Sequence, residues 1–415
     1  MQSGWRVGSL FGIPFFIDPS WILIVGFVTV SNGTGFLARG WQPTIAWTAG
    51  LAIALLLFTS VLLHELGHSF VAMAQGIRVN SITLFLFGGV AAIERESDTP
   101  GQAFQVAIAG PLVSITLFGL CSVATAYLSS YARVLVATLA QINLVLALFN
   151  LIPGLPLDGG QMLKAALWKL TGDRLRSVRW SARVGQVVGY LGIAFGLFLV
   201  LLTGGAGGSL WITIIGWFIL RNATAYSRVA GLQQVLSELT AADVMTRQLR
   251  VVEAEQPLRQ FAESYLLQTA EVADGTARPY PYYAASDGRY RGLVILDELQ
   301  TIERSLWDQQ PLQSIVRPLT EIPTVEEKTP LPVVIMKLEV LKLHHITVLS
   351  PAGSVAGVID RGDIVRAIGT KLGVEISDAI IRQVKQTGSY PSDLPIPNLA
   401  KSLVPADLLS STTVP

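Results

Sequence analysis

Two histidines four residues apart, His64 and His68, close a long apolar run, with Glu65 beside the first, in the stretch FTSVLLHELGHS at 58–69. On a helix the two imidazoles lie one turn apart on one face and can share a small cation. Glu65 then reaches a water on that cation, which is the arrangement of a metal-dependent hydrolase. The His-Glu-x-x-His pattern fixes three of five positions, and the bland alternative is a helix with two surface histidines. The apolar setting opposes that alternative, because ionisable groups inside such a segment are costly and mark function. A catalytic zinc needs a third protein ligand and an open position for water. The remaining histidines, His344 and His345, lie in the polar half of the chain and suit a strand edge or turn, so an acidic residue must serve. Asp158, after an apolar stretch and Pro153 and Pro156, is the candidate. As a competing reading, Asp158 caps a helix that starts near Gly160. The two roles are compatible.

These residues need a membrane to position them. Of 415 residues, 51% are hydrophobic and 14% charged, where a soluble chain is nearer a quarter charged. The stretches 19–38, 44–74, 105–128, 134–152 and 184–203 approach or exceed the ~20 apolar residues that a bilayer core requires, and 209–220 is a shorter sixth span. With the N-terminus inside, the inner loops hold eleven Lys or Arg, among them Arg78, Lys164, Arg174 and Arg221, and the outer loops only Arg39 and Arg133. The positive-inside bias therefore places both termini in the cytoplasm, and the uncharged outer link Gly204–Gly208 agrees. The N-terminus lacks the pattern of a cleaved signal and is read as retained. A net charge of +1 without a basic cluster gives no sign of nucleic-acid binding. Cys121 is the single cysteine, which excludes an intrachain disulfide.

Residues 1–18 suit a short extended segment, and Asp18-Pro19-Ser20 a helix start. Strand formers over 79–95, with Gly88-Gly89 as a turn signal, predict a hairpin dipping into the membrane face. Such backbone persists at that depth only where protein or water covers it. The segmentation is then a membrane domain over 1–228, a helical linker over 229–239, two similar α/β units over 240–372, and a loose tail over 373–415.

With these motifs in view, the chain resembles the site-2 protease family of intramembrane zinc metalloproteases. The likeness rests on HELGH at 64–68, on Asn-x-x-Pro-x-x-x-x-Asp-Gly at 150–159, on GIPFFIDPSW at 12–21, and on Ala109-Gly110-Pro111. Asp18 stands where many relatives carry histidine. The resemblance covers about 1–228 and implies that His64, His68 and Asp158 bind Zn2+. It also implies Glu65 as general base and Asn150 as an oxyanion donor; the plain alternative for Asn150 is a helix C-cap. It implies a mainly α membrane protein with about six transmembrane helices and a small membrane-associated sheet, cutting a membrane-anchored protein in regulated intramembrane proteolysis. The two C-terminal units resemble a pair of CBS domains, cytoplasmic and α/β, of a kind that often binds adenine nucleotides. Their Gly-x-x-Thr-x-x-Asp pattern is degraded: Gly357, Asp360 and Asp363 in the second, Gly292, Ile295 and Glu298 in the first. Nucleotide binding and a dimerisation or docking role both stay open. The alternative class is a transporter or channel, since CBS pairs also follow ion-transport domains and intramembrane His and Asp line ion paths. A third reading, a catalytically dead scaffold, is disfavoured because the ligands and the base are all present.

Overall fold

A computed structural model describes residues 4–204, 209–247, 249–271, 281–391 and 394–404, with the side chains of 209 and 265–271 left aside. Gly205–Gly208 of the outer link, 272–280 of the first C-terminal unit and the last eleven residues lie outside the described residues. Two units divide at Ala230 and Gly231.

The first unit opens with β1 (Trp5–Leu10) and β2 (Ile13–Ile17), an antiparallel hairpin in the segment expected to be merely extended. Asp18 accepts from the backbone N–H and hydroxyl of Ser20, and helix α1 (Trp21–Ala38) follows. Then come α2 (Pro43–Ala74), β3 (Val79–Phe85), β4 (Gly88–Ile93), α3 (Pro100–Ala124), α4 (Ser130–Asn150), α5 (Asp158–Thr171), α6 (Arg174–Thr203) and α7 (Ser209–Glu238). Five helical stretches are long and apolar enough to cross a membrane: 21–38, 43–74, 100–127, 130–150 and 174–203. Several start earlier than their apolar runs, because polar caps nucleate them. Thr99 accepts from Gln102 N–H ahead of α3, and Asp173 from Arg176 N–H ahead of α6.

The expected sixth span is the first twelve residues of α7. Twelve residues rise about 18 Å, short of the about 30 Å of a bilayer core, and Arg221 follows at once. That stretch is nonetheless closely packed. Gly189, Gly192 and Gly196 of α6 stand against Leu220, Gly216 and Thr213 of α7, where a Cβ on any of the three would crowd the facing backbone. Small residues at such spacing let helix backbones approach where lipid provides no hydrophobic drive.

The sheet order is β1-β2-β3-β4, with β2 and β3 parallel and the other pairs antiparallel. Ile13 and Ile82 bury themselves on Leu66, so the sheet sits on the α2 turn that holds Glu65. Strand β3 is paired on both sides. Strand β4 pairs only with β3 among the described residues, so its other edge is open. The turn before β4 is braced by Phe87, stacked on Phe218 of α7 at 4.3 Å.

The second unit holds 231–238 of α7 and the expected doubled arrangement. The first copy comprises α8 (Ala241–Val244), β5 (Arg250–Glu253), α9 (Leu258–Glu271), β6 (Tyr282–Ser286) and β7 (Arg289–Val294), followed by α10 (Leu296–Leu299). Then β8 (Val316–Pro318), at the opening of the second copy, pairs back onto β7. The second copy continues with β9 (Thr324–Glu326), α11 (Leu331–Val340), β10 (His345–Leu349), β11 (Val355–Asp360) and α12 (Arg361–Leu372). The helical linker expected over 229–239 is the continuation of α7, which runs without interruption to Glu238. The expected loose tail is corrected in its described part. Helices α13 (Asp378–Thr387) and α14 (Ile396–Leu403) bury Val384, Ile396, Leu399 and Ala400 in the same core as Leu331 and Ile364. Their apolar faces, spaced three and four apart, signalled this.

Candidate metal centre

Helix α2 delivers His64 and His68 to one face, both buried. Each ring is held through Nδ1. His64 Nδ1 lies 2.9 Å from Ser114 Oγ, and His68 Nδ1 donates to the Val106 carbonyl at 2.7 Å, both partners on α3. Both Nε2 atoms are thereby turned to the same point, as outer-shell partners do for metal-binding imidazoles.

Asp158 supplies the third donor. Helix α5 starts at Asp158, its N-cap is Leu157, and no side chain caps it, so the capping role expected for Asp158 is not made. Its carboxylate meets the histidines instead: Oδ2 is 3.0 Å from His64 Nε2 and Oδ1 is 3.3 Å from His68 Nε2. The two Nε2 atoms are 3.3 Å apart. Tetrahedral zinc with bonds of about 2.0 Å sets its ligands about 3.3 Å from one another. Two imidazoles and one carboxylate also form a donor set that suits zinc and leaves a fourth position. Among the described residues this is the cluster that can hold a metal ion.

The space at the donor atoms is kept by Gly110. A Cβ there would overlap His68 Nε2 and stand 2.5 Å from His64 Nε2. Gly67, one residue before His68, lets α3 approach; a Cβ on it would be 3.1 Å from the Ala109 carbonyl oxygen. Glu65 points toward the sheet. A Cβ on Gly89 of β4 would lie 2.5 Å from Glu65 Cγ and 3.2 Å from its Oε1. The open-edged strand therefore runs directly over the carboxylate.

The site thus unites His64, His68 and Asp158, with Glu65 next to the first ligand. Asn150 is the last residue of α4 and half-buried, and no polar contact of its side chain ties it to the cluster. Sequence reasoning missed Ser114, Val106 and Gly89 as supports. Gly110 was visible as part of the Ala109-Gly110-Pro111 motif, without a role assigned to it.

In the second unit, Asp360 and Asp363 form a capping box at the start of α12. Lys385 Nζ lies 2.9 Å from Asp360 Oδ2 and 2.7 Å from Asp363 Oδ1. Burial, and then the charge of Asp360, push the Asp363 carboxyl up despite Lys385. A 520 Å³ cavity beside it is lined by Asp243, Thr246, Asp363, Arg366 and Lys371, among others. In the first copy, Glu298 bonds Arg317 at 3.0 Å.

The model of peptidase family M50 matches residues 52–134 and 125–199. A Synechocystis sp. protein that carries a zinc-metalloprotease name, sll0528, is 42% identical over 89% of this chain and 97% of its own. The structure of a site-2 protease from Methanocaldococcus jannaschii is 30% identical over 54% of this chain and 95% of that one, with a TM-score of 0.42. A CBS domain of a bacterial CNNM/CorC-family Mg2+ transporter covers 37% of this chain and 86% of that one, at 20% identity and a TM-score of 0.27.

Proposed function

This chain belongs to peptidase family M50, the site-2 proteases, as a zinc metallopeptidase with several membrane-crossing helices, and from that premise we propose that it cuts a membrane-anchored protein within or near its transmembrane segment. The observation that carries the proposal is the donor triangle of His64, His68 and Asp158 with Glu65 beneath an open strand edge.

Bound zinc supplies a Lewis acid and an acidified water. His64, His68 and Asp158 would hold it. Glu65 takes the proton of the attacking water and returns it to the leaving amide nitrogen. Asn150 donates a hydrogen bond to the oxygen that becomes negative in the transition state. A helical substrate hides its carbonyls, so it must unwind, and strand addition to β4 gives the released N–H and C=O groups new partners. The hairpin expected over 79–95 is sharpened here: the receptive edge is β4, whereas β3 is already paired on both sides. Prolines at 90 and 91, tried in turn, ensure that one of the two removes an N–H from the open edge.

Six crossings, with 209–220 as the sixth, put both termini in the cytoplasm, and the inner concentration of Lys and Arg supports that orientation. The C-terminal unit is then a cytoplasmic regulatory module that can also pair two copies of the chain. Arg366 and Lys371 at its cavity favour an anionic ligand such as an adenine nucleotide. Lys385 opposes it by occupying the carboxylate that ribose hydroxyls would need.

The test compares membrane proteomes of cells carrying the wild type and Glu65→Gln. New protein termini in or beside transmembrane segments should appear with the wild type alone, while both forms bind zinc. Identical proteomes would sink the proposal and favour a transporter.

A further inference from the structure

We infer that Glu96 is a positioning residue: its carboxylate links the hairpin over Glu65 to the two helices that carry and brace Asp158. Strand β4 ends at Ile93, and Glu94 N–H donates to the Arg78 carbonyl to close the ladder. Two residues later, Glu96 Oε2 accepts from Lys164 Nζ at 3.1 Å and lies 2.6 Å from Arg174 Nη2. Lys164 belongs to α5, six residues after Asp158. Arg174 is the first residue of α6. One side chain therefore joins three elements.

A carboxylate accounts for both cations, although Arg174 also rests over the Trp168 ring at 5.7 Å. Lys164 is 7% exposed, and lysines that deep are almost always paired. Arg174 puts positive charge at a helix N-terminus, the end that favours negative charge. Burial would raise the Glu96 carboxyl, but Lys164 and Arg174 outweigh it and hold the group below its usual range. The neighbouring Arg95 does not compete, because it bonds Asp98 at 2.6 Å.

The two linked blocks are each stiff. Ser181 Oγ of α6 donates to the Gly160 carbonyl at 2.5 Å, and a Cβ on Gly154 would stand 2.7 Å from Gly185 Cα, so α5 and the turn before it pack closely on α6, with Asp158 at the head of α5. The hairpin forms the other block, with Gly89 against Glu65. Glu96 fixes the distance between the strand edge and the metal ligands. Releasing it frees the strand while leaving the ligand set intact.

The kinetic part of the test rests on the proteolytic reading. The probe is fluorescein-labelled casein, an unfolded chain that needs no unwinding, with full-length protein in detergent. Glu96→Gln should keep one zinc per chain and a near-wild-type kcat, and raise KM by about fivefold or more, since a loosened presenting strand weakens ground- and transition-state binding alike. Amides of 88–93 should exchange about tenfold faster. The conservative variant Glu96→Asp, which keeps a carboxylate facing Lys164 and Arg174, should stay closer to the wild type than Glu96→Gln in both readouts. Unchanged exchange and KM in Glu96→Gln would overturn the inference. So would loss of zinc, which would make Glu96 a support of the metal site. If the wild type leaves casein uncut, the exchange and zinc measurements still decide the role of Glu96, and the proteolytic reading is decided separately by the Glu65→Gln proteome comparison.

Discussion

Gly110 of α3 faces His64 of α2 at the point where the metal donors converge, and a Cβ on it would stand 2.5 Å from His64 Nε2. A methyl group there competes with the ion for one volume. Gly110→Ala should therefore fold, with a melting temperature within a few degrees of wild type, yet carry well under one zinc per chain by elemental analysis. Full zinc occupancy would refute the assignment of that space to the metal.

Ser114 acts one step further out, through His64 Nδ1. Losing an outer-shell partner of this kind weakens metal binding by about 10–100-fold. Ser114→Ala should show that loss in competition with a zinc chelator, whereas Ser122→Ala, further along α3, should show none.

Gly89 lies over Glu65. In Gly89→Val the new side chain drives Glu65 from its position and leaves the histidines alone. Activity should fall by about 100-fold or more, the scale of a displaced proton-transfer group, with zinc content unchanged. Retained activity would mean that the strand does not press on the base.

Lys385 neutralises two adjacent acids, Asp360 and Asp363. The Asp363 carboxyl already titrates above its ordinary value of 3.8. A raised acid of this kind lowers stability when ionised, and that loss is relieved as the pH falls through its folded pKa. Lys385→Met removes the group that opposes the rise. The variant should lose stability most at pH 7 and recover part of it by about pH 5, followed by thermal unfolding of the C-terminal unit. A deficit that stays constant with pH would show that the carboxylates are not the cause.

Much of this was legible in the sequence because the informative residues are rare and local. His64 and His68 are two of four histidines in the chain, and their spacing gives the face. Asp158 was reached because no third histidine suits the site and because it follows an apolar stretch and two prolines, while its capping alternative stayed open. The supports were not legible. Ser114, Val106 and Gly89 matter only through contacts across 24 to 50 positions, and serine, valine and glycine are common in apolar helices and turns. Lys164 read as one more inner positive charge until its burial against Glu96 was seen. The α13 and α14 segments read as a loose tail, although the apolar spacing of Ile381, Val384, Ile396, Leu399 and Ala400 is present in the sequence.

The bare edge of β4 has a consequence for what such a protein can distinguish. Backbone pairing is blind to side chains, so under the proposed strand addition a partner would be admitted by how readily it straightens. Leaving a helix is easier by about 1 kcal/mol for each glycine, relative to alanine, and by about 3 for a proline. Two substrates with unrelated letters but equal ease of unravelling would look alike to this strand. A single glycine placed near the scissile bond would change recognition more than many substitutions elsewhere.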